Sequence, residues 1–120
     1  MLPRVKVWLS GDQSDGVFGD GKWRLLKTID ELGSLSAAAA TLQISYRKAW
    51  GDINSAEKAL GVALVVRRRG GAGGGGASLT QPGREFVAAY SVFRTEVDKA
   101  VRVTFKKRIA PALPERHGGE

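Results

Sequence analysis

The spacing of hydrophobic residues changes along this 120-residue chain, and each spacing predicts a different element. Residues 4–10 alternate between apolar and polar side chains, which is typical of a half-buried strand. Residues 11–16 contain two glycines and two aspartates and predict a turn, and residues 17–18 then return as a short strand. The chain is therefore expected to begin with a β-hairpin.

Apolar residues at helical spacing next predict three helices, over residues 20–32, 37–42 and 46–60. Residues typical of helix ends bound them, with Asp20, Ser34 or Ser36, and Ser45 as N-caps and Gly33 and Gly61 as stops. The second helix is short and rich in alanine, which allows it to pack closely across a neighbour. Only Gln43 and Ile44 separate it from the cap of the third helix, so we expect a tight turn between them.

The third predicted helix has two different faces. One is apolar and is expected to face the core, and Trp50 borders it. The opposite face is polar and positive and consists of Arg47, Lys48, Gly51, Asn54, Ser55 and Lys58. Gly51 weakens a helix by about 1 kcal/mol relative to alanine, so its position suits the close approach of another molecule. The alternative is that Gly51 is a neutral residue on a solvated face.

A basic, glycine-rich loop follows the third helix. Residues 62–66 predict a strand and residues 77–80 a returning strand, with Arg67, Arg68, Arg69 and a run of glycines between them. The two strands predict a β-ribbon with a glycine-rich tip, or wing. A glycine-rich loop can also bind the phosphates of a nucleotide, as a P-loop does. A P-loop ends in Gly-Lys-Ser/Thr before a helix, and because this loop has no lysine, the wing is the better interpretation.

The last helix is predicted to begin after its cap, Thr80, and to run to about Lys107. It carries a heptad-like apolar seam that includes Phe86, Tyr90, Phe93, Val97 and Val101. This seam can pack on the core of its own domain or form a two-fold dimer interface, and the length of the helix favours the dimer. Residues 1–109 are expected to form one domain, and residues 110–120 a disordered tail.

Charge and residue usage narrow the function. Nineteen Lys and Arg against twelve Asp and Glu give a net charge of +7, which favours polyanionic partners, with nucleic acid first. The absence of cysteine excludes disulfides and thiol chemistry. The single histidine lies in the tail, so no catalytic or metal site is expected. No signal peptide or membrane span is apparent, and the expected location is the cytoplasm, associated with the nucleoid.

The order of helix, turn, basic helix and wing predicts a mainly α protein with small β elements, a winged helix-turn-helix that binds double-stranded DNA. Arg47 is suited to a bidentate contact with guanine, Asn54 to adenine or a phosphate, and the arginines of the wing to phosphates. The expected DNA-binding residues are Ser34, Ser36, Ser45, Tyr46, Arg47, Lys48, Gly51, Asn54, Ser55, Lys58, Arg67, Arg68, Arg69, Gly71 and Gly74.

The stretch G-S-L-S-A-A-A-A-T-L-Q-I-S-Y-R-K-A-W, with the glycine-rich loop and L-T-Q-P-G after it, resembles the N-terminal domain of ModE-type molybdate-responsive regulators. More distantly, it is similar to the LysR-type DNA-binding domain. The resemblance covers residues 3–105 and implies that the third helix is the recognition helix, with Trp50 as a structural anchor. It also implies that the last helix forms a homodimer. It does not extend to the C-terminal molybdate-binding domains of such regulators, so no cofactor or bound small molecule is expected in this chain.

Two other functions remain open at this stage. The long helix can pair with a larger regulator, which would make the chain a heterodimerising interaction module. Alternatively, charge alone can bind DNA or RNA without sequence preference, as a nucleoid protein does. A molybdenum-linked transcriptional regulator acting as a homodimer on a pseudo-palindromic operator is the leading hypothesis.

Overall fold

The computed structural model describes residues 1–12, 16–68 and 76–114. Its elements in chain order are β1 (Trp8–Leu9), β2 (Phe18–Gly19), α1 (Asp20–Leu32), α2 (Leu35–Leu42), α3 (Tyr46–Leu60), β3 (Val65–Arg68), β4 (Gly76–Leu79) and α4 (Gln81–Thr104). A π-helical turn over Phe105–Ile109 and a 3-10 turn over Ala110–Ala112 continue α4. The mainly helical fold with two small β-ribbons confirms the predicted fold class.

The predicted helix ends are largely confirmed, because short-range chemistry fixes them. Gly33 and Gly61 end α1 and α3 in the left-handed conformation, at φ 68° and 75°. The hydroxyl groups of Ser45 and Thr80 accept hydrogen bonds from the first turns of α3 and α4. Of the two candidate caps for α2, Ser34 is the one used, so α2 begins at Leu35, two residues before the predicted start.

Both sheets are antiparallel pairs of strands. In the wing, Val65 pairs with Leu79 and Arg68 with Gly76. The N-terminal hairpin pairs only Trp8 with Gly19 and Leu9 with Phe18, so the predicted strand over residues 4–10 is shortened to two residues. The reason is that the backbone before Trp8 bonds to side chains of α1 and α4 rather than to a strand.

The core lies between α1, α2, α3, the wing and the first half of α4. Its largest fully buried side chains are Phe18, Leu25, Leu26, Ile29, Leu35, Ile53 and Leu64. Buried alanines line the contact between α2 and α3, where small side chains let the two helices approach closely. The core therefore contacts only the apolar face of α3 and leaves the opposite face of this helix to solvent.

Three sequence predictions need correction. Gly19 rather than Asp20 is the N-cap of α1, and the Asp20 carboxylate instead bonds to α4. The strand predicted over residues 62–66 begins at Val65, because the N–H groups of Leu64 and Val65 donate to the Glu57 carboxylate. The predicted disordered tail begins with an ordered turn at Ala110–Ala112, while residues 115–120 lie outside the described residues.

Within residues 1–12, 16–68 and 76–114, no helix combines the length and the apolar character that a membrane span requires.

Candidate nucleic-acid interface

The turn between α2 and α3 sets the direction of α3. Gln43 ends α2 in the left-handed conformation, at φ 60°, and it is the only residue other than glycine with a positive φ in the described part of the chain. The N–H of Ile44 then donates to the carbonyl oxygen of Ala39 at 3.0 Å. Ser45 caps the following helix. The three residues therefore form a compact, hydrogen-bonded turn, and α3 leaves it with its apolar face on the core.

The predicted outer face of α3 is confirmed by its exposure. The side chains or backbone of Arg47, Lys48, Gly51, Asn54, Ser55 and Lys58 are all exposed to solvent. Lys48 is paired with Asp52 one turn on, at 3.1 Å, whereas Arg47 makes no hydrogen bond or ion pair with any residue that the structure describes. The helix therefore presents an exposed arginine at its start and, at Gly51, a point where nothing lies within 4 Å of a Cβ position.

The wing is joined to α3 by a stack of three side chains. The guanidinium carbon of Arg67 lies 4.1 Å from the centroid of the Trp50 ring. The Nη2 atom of Arg67 donates to the hydroxyl oxygen of Tyr46 at 3.3 Å, and the Tyr46 and Trp50 rings meet edge to face at 6.5 Å. Trp50 is half-buried against the core, which agrees with its implied role as an anchor. Arg67 therefore holds the wing against α3. Its position in a run of three arginines did not indicate this contact with the helix.

The base of the wing is also tied to the start of α2. The N–H of Ala77 donates to the carbonyl oxygen of Gly33 at 3.1 Å, and Ser34 forms an isolated bridge with Gly76. The hydroxyl of Ser34 accepts from the N–H of Ala37, so the structure gives this candidate DNA-binding residue a capping role. Ser36 is exposed beside it. Arg68 is exposed at the end of β3.

Three predicted wing residues, Arg69, Gly71 and Gly74, lie outside the described residues.

The predicted dimer seam divides between two environments. Phe86 and Tyr90 pack edge to face on Phe18, at centroid distances of 4.7 and 5.1 Å, and Tyr90 is only 3% exposed. Tyr90 therefore belongs to the core of its own domain, which corrects its assignment to a dimer surface, whereas Phe86 is half-buried against that core. Further along α4, Phe93 is 40% exposed, and Val97 and Val101 are half-buried.

A polar network that the sequence did not reveal ties the N-terminal segment to α4. The Asp20 carboxylate accepts from the Tyr90 hydroxyl at 2.8 Å and from Arg94 Nε at 3.0 Å, and Arg94 Nη2 donates to the carbonyl oxygen of Val5 at 2.6 Å. Burial alone raises the pKa of Asp20, but its hydrogen bonds from Tyr90, Arg94 and the N–H of Val7 outweigh burial and lower the pKa below 3.8. Burial and the Asp20 charge raise the pKa of Tyr90.

Two further roles were missed. Lys22 donates to the Ser55 hydroxyl on α3 at 3.3 Å and to the carbonyl oxygen of Val17 at 3.1 Å. Glu57 of α3 accepts two backbone hydrogen bonds, from the N–H groups of Leu64 and Val65 before β3. Lys22 and Asp20 each bond to a side chain more than thirty positions away in the chain, so no local sequence pattern could have indicated these contacts.

A short helix, a tight turn, a helix with a cationic solvent face and an attached β-ribbon together define a winged helix-turn-helix domain, a class that binds DNA. The chain belongs to the lysR family of bacterial regulatory helix-turn-helix proteins, whose model matches residues 21–84.

The chain is also similar to two proteins named for molybdenum. It is 37% identical over 101 residues to the molybdenum transport protein ModE of Azotobacter vinelandii, covering 84% of this chain and 36% of that protein. It is 36% identical over 85 residues to the molybdenum-pterin-binding protein MopB of Rhodobacter capsulatus, covering 71% of this chain and 31% of that protein. The chain thus spans about a third of the length of both relatives.

Solved structures with a similar fold include two DNA complexes. The BenM_DBD/benA site 1 DNA complex matches with a TM-score of 0.57 and 27% identity, over 75% of this chain and 96% of that one. The CbnR_DBD–DNA complex matches with a TM-score of 0.56 and 25% identity, over 76% of this chain and 95% of that one. These likenesses confirm the winged-helix fold, and the 37% identity to ModE confirms the kinship that the sequence motifs predicted.

Proposed function

We propose that this chain is the DNA-binding unit of a transcriptional regulator that acts as a homodimer on a pseudo-palindromic operator. The observation that carries the proposal is the single solvent-facing side of α3, which is cationic at its start and open at Gly51. Arg67 fixes the wing beside that face. In this arrangement α3 enters the major groove, and Arg47 contacts base edges.

The second half of α4 supports the homodimer, because it leaves Val92, Phe93 and Val103 exposed at 59%, 40% and 56%. Two copies joined there place two recognition helices on one face of the DNA, which matches an operator of two half-sites. The relatives named for molybdenum support target genes that serve molybdenum uptake or molybdoenzymes. This function places the protein in the cytoplasm, with the DNA.

The test is selection of binding sites from a randomised duplex library at near-physiological salt. We expect a motif with two-fold symmetry, and its genomic positions show whether the regulated genes handle molybdenum. A pool without enrichment, with binding that disappears as salt rises, would assign the chain to non-specific DNA binding. Mixed dimers with a larger regulator and no preferred sequence would assign it to protein interaction.

Substitution of two exposed arginines separates base reading from phosphate binding. Arg47→Ala is expected to relax the preference at one operator position, at a cost of about 1–3 kcal/mol on the selected site. Arg68→Ala is expected to weaken binding to every sequence and to lower the slope of log K against log salt by about 1. Anisotropy titrations on selected and scrambled duplexes measure both. Equal losses of both variants on both duplexes would contradict direct reading by Arg47.

A further inference from the structure

The recognition helix α3 has two flanks, and only one of them carries the wing. Successive helical residues turn by about 100°, so Tyr46 and Trp50 lie on one side of the outer face and Lys48, Asp52 and Ser55 on the other. The contacts agree with this placement, because Arg67 of the wing packs on the first pair while Lys22 of α1 bonds to Ser55. The N-terminal hairpin and the start of α1 therefore flank α3 on the side opposite the wing.

A cleft of about 470 Å³ opens on this second flank, between the hairpin, the start of α1 and α3. We name it the hairpin-side cleft, and its charged and exposed aromatic residues are Lys6, Trp8, Asp20, Lys22, Arg24, Lys48 and Asp52. Lys22 fixes the hairpin relative to α3, because its ammonium group donates to Val17 of the hairpin as well as to Ser55. The Trp8 ring, 65% exposed, is part of the lining.

The charge of the hairpin-side cleft is positive after its internal pairs are considered. Asp52 is paired with Lys48 at 3.1 Å, and Asp20 is paired with Arg94 of α4 at 3.0 Å. Both carboxylates are therefore compensated by cations within the protein. Lys6 and Arg24 are exposed and make no ion pair with any residue that the structure describes. Lys6 and Arg24 therefore remain to meet an external anion, and Lys22, whose ammonium group is bonded to oxygens of the protein, adds a third positive charge.

The dimensions of DNA indicate which anion lies there. An α-helix with its side chains is about 10–12 Å across and the major groove is about 12 Å wide, so a helix that enters the groove fills it. The two sugar–phosphate backbones that border the groove then lie beside the two flanks of the helix. If the wing lies along one backbone, the hairpin-side cleft faces the other.

We infer that the hairpin-side cleft is a second DNA-backbone site, which binds phosphates of the strand opposite the one that the wing contacts. Lys6 and Arg24 are its phosphate-binding residues, and Lys22 positions them by holding the hairpin to α3. The inference rests on the proposed function, since it requires α3 in the major groove. It gives the N-terminal hairpin a role beyond folding, as a counterpart of the wing.

The test compares the double variant Lys6→Ala/Arg24→Ala with Lys106→Ala/Lys107→Ala, which removes two exposed lysines from the π-helical turn that follows α4. Both lose two positive charges, so the change in net charge is matched. We expect the cleft variant to bind selected and scrambled duplexes about tenfold more weakly and to lower the salt slope by about 2, as for two lost phosphate contacts. Anisotropy over a range of salt concentrations measures both quantities, and circular dichroism verifies the fold.

Phosphate ethylation interference on the selected operator identifies the DNA strand whose phosphates each site contacts. In each half-site the wild type is expected to show interference on both strands, the cleft variant to lose it on one strand, and Arg68→Ala to lose it on the other. If the cleft variant matches its charge-matched control while Arg68→Ala still weakens binding, the second backbone site is refuted and the proposed function stands. If neither Arg47→Ala, Arg68→Ala nor the cleft variant changes binding, the proposed function itself fails.

Discussion

The two halves of α4 share one apolar pattern but lie in different environments. From Gln81 to Tyr90 the helix is part of the core, with Gly83 and Tyr90 buried. From Ser91 onward the seam is less buried, with Phe93 40% exposed and Val97 and Val101 half-buried, and Val92 and Val103 beside it are more than half exposed. A continuous heptad-like seam therefore does not by itself identify an interface. The first half stabilises the domain, and the second half is available to a partner.

The sharpest test of the first half is Gly83→Ala. A Cβ atom at Gly83 would lie less than 3.0 Å from the carbonyl oxygen of Leu64, which is backbone and cannot move aside. We expect the free energy of unfolding to fall by about 3 kcal/mol or more, the upper range of overpacking. Urea denaturation at fixed protein concentration measures the loss.

Gly51→Ala is the matched control, because a Cβ at Gly51 meets nothing within 4 Å. This change is expected to stabilise α3 by up to about 1 kcal/mol, through helix propensity alone. A similar small effect at both glycines would show that the start of α4 is not fixed against the Leu64 backbone, and the contrast between the halves would weaken.

The junction between the halves is the network of Asp20, Tyr90 and Arg94, and it predicts a pH dependence. The pKa of Asp20 is lower in the folded protein than its ordinary value of 3.8. The Asp20 contribution to the free energy of unfolding is therefore fully present above pH 3.8 and is lost as the pH falls through the folded pKa. Asp20→Asn is expected to cost about 2 kcal/mol at pH 7, as hydrogen bonds to a charged group are lost.

The measurement is the free energy of unfolding at pH 7 and at about pH 3. The wild type should lose more stability between the two values than Asp20→Asn does, and Asp30→Asn, at an exposed position of the same helix, should behave as the wild type. Equal acid losses in wild type and Asp20→Asn would exclude Asp20 as the ionised group that joins the halves.

The features that could be predicted from the sequence are those set by interactions between residues close together in the chain. Gly33, Gly61, Ser45 and Thr80 mark helix ends through bonds to neighbouring residues, and the outer face of α3 follows from its period alone. Gln43 gave no such signal, because the left-handed conformation that it adopts is more usual for glycine or asparagine.

Long-range contacts set the rest. Asp20 has the chemistry of an N-cap, yet its partners Tyr90 and Arg94 lie 70 and 74 residues away. The seam of α4 likewise gave no sign that Phe86 and Tyr90 face Phe18, because period alone does not say which surface covers an apolar stripe. The motif S-Y-R-K-A-W predicted α3 as the recognition helix, whereas the Lys22–Ser55 bond and the cleft beside it required the structure.

The second half of α4 is expected to tolerate substitution in the monomer and to respond only in assembly. Phe93→Glu should convert the dimer to a monomer in sedimentation velocity, because it places a charge on an exposed apolar surface that the dimer would bury. The unfolding free energy at low protein concentration should change by less than about 1 kcal/mol, which corresponds to the aromatic contact with Tyr90. Thr95→Glu adds the same charge at an exposed polar position and should remain a dimer.

Val103→Glu shows how far the interface extends along α4. A monomer from both Phe93→Glu and Val103→Glu would assign the whole second half to the partner copy, and a monomer from Phe93→Glu alone would confine the contact to its first turns. If Phe93→Glu sediments as a dimer, or if it unfolds as readily as Gly83→Ala, then Phe93 belongs to the fold rather than to the interface. The boundary between the two halves of α4 would then lie further along the helix than Tyr90, at the first position where a charge disturbs assembly without disturbing the fold.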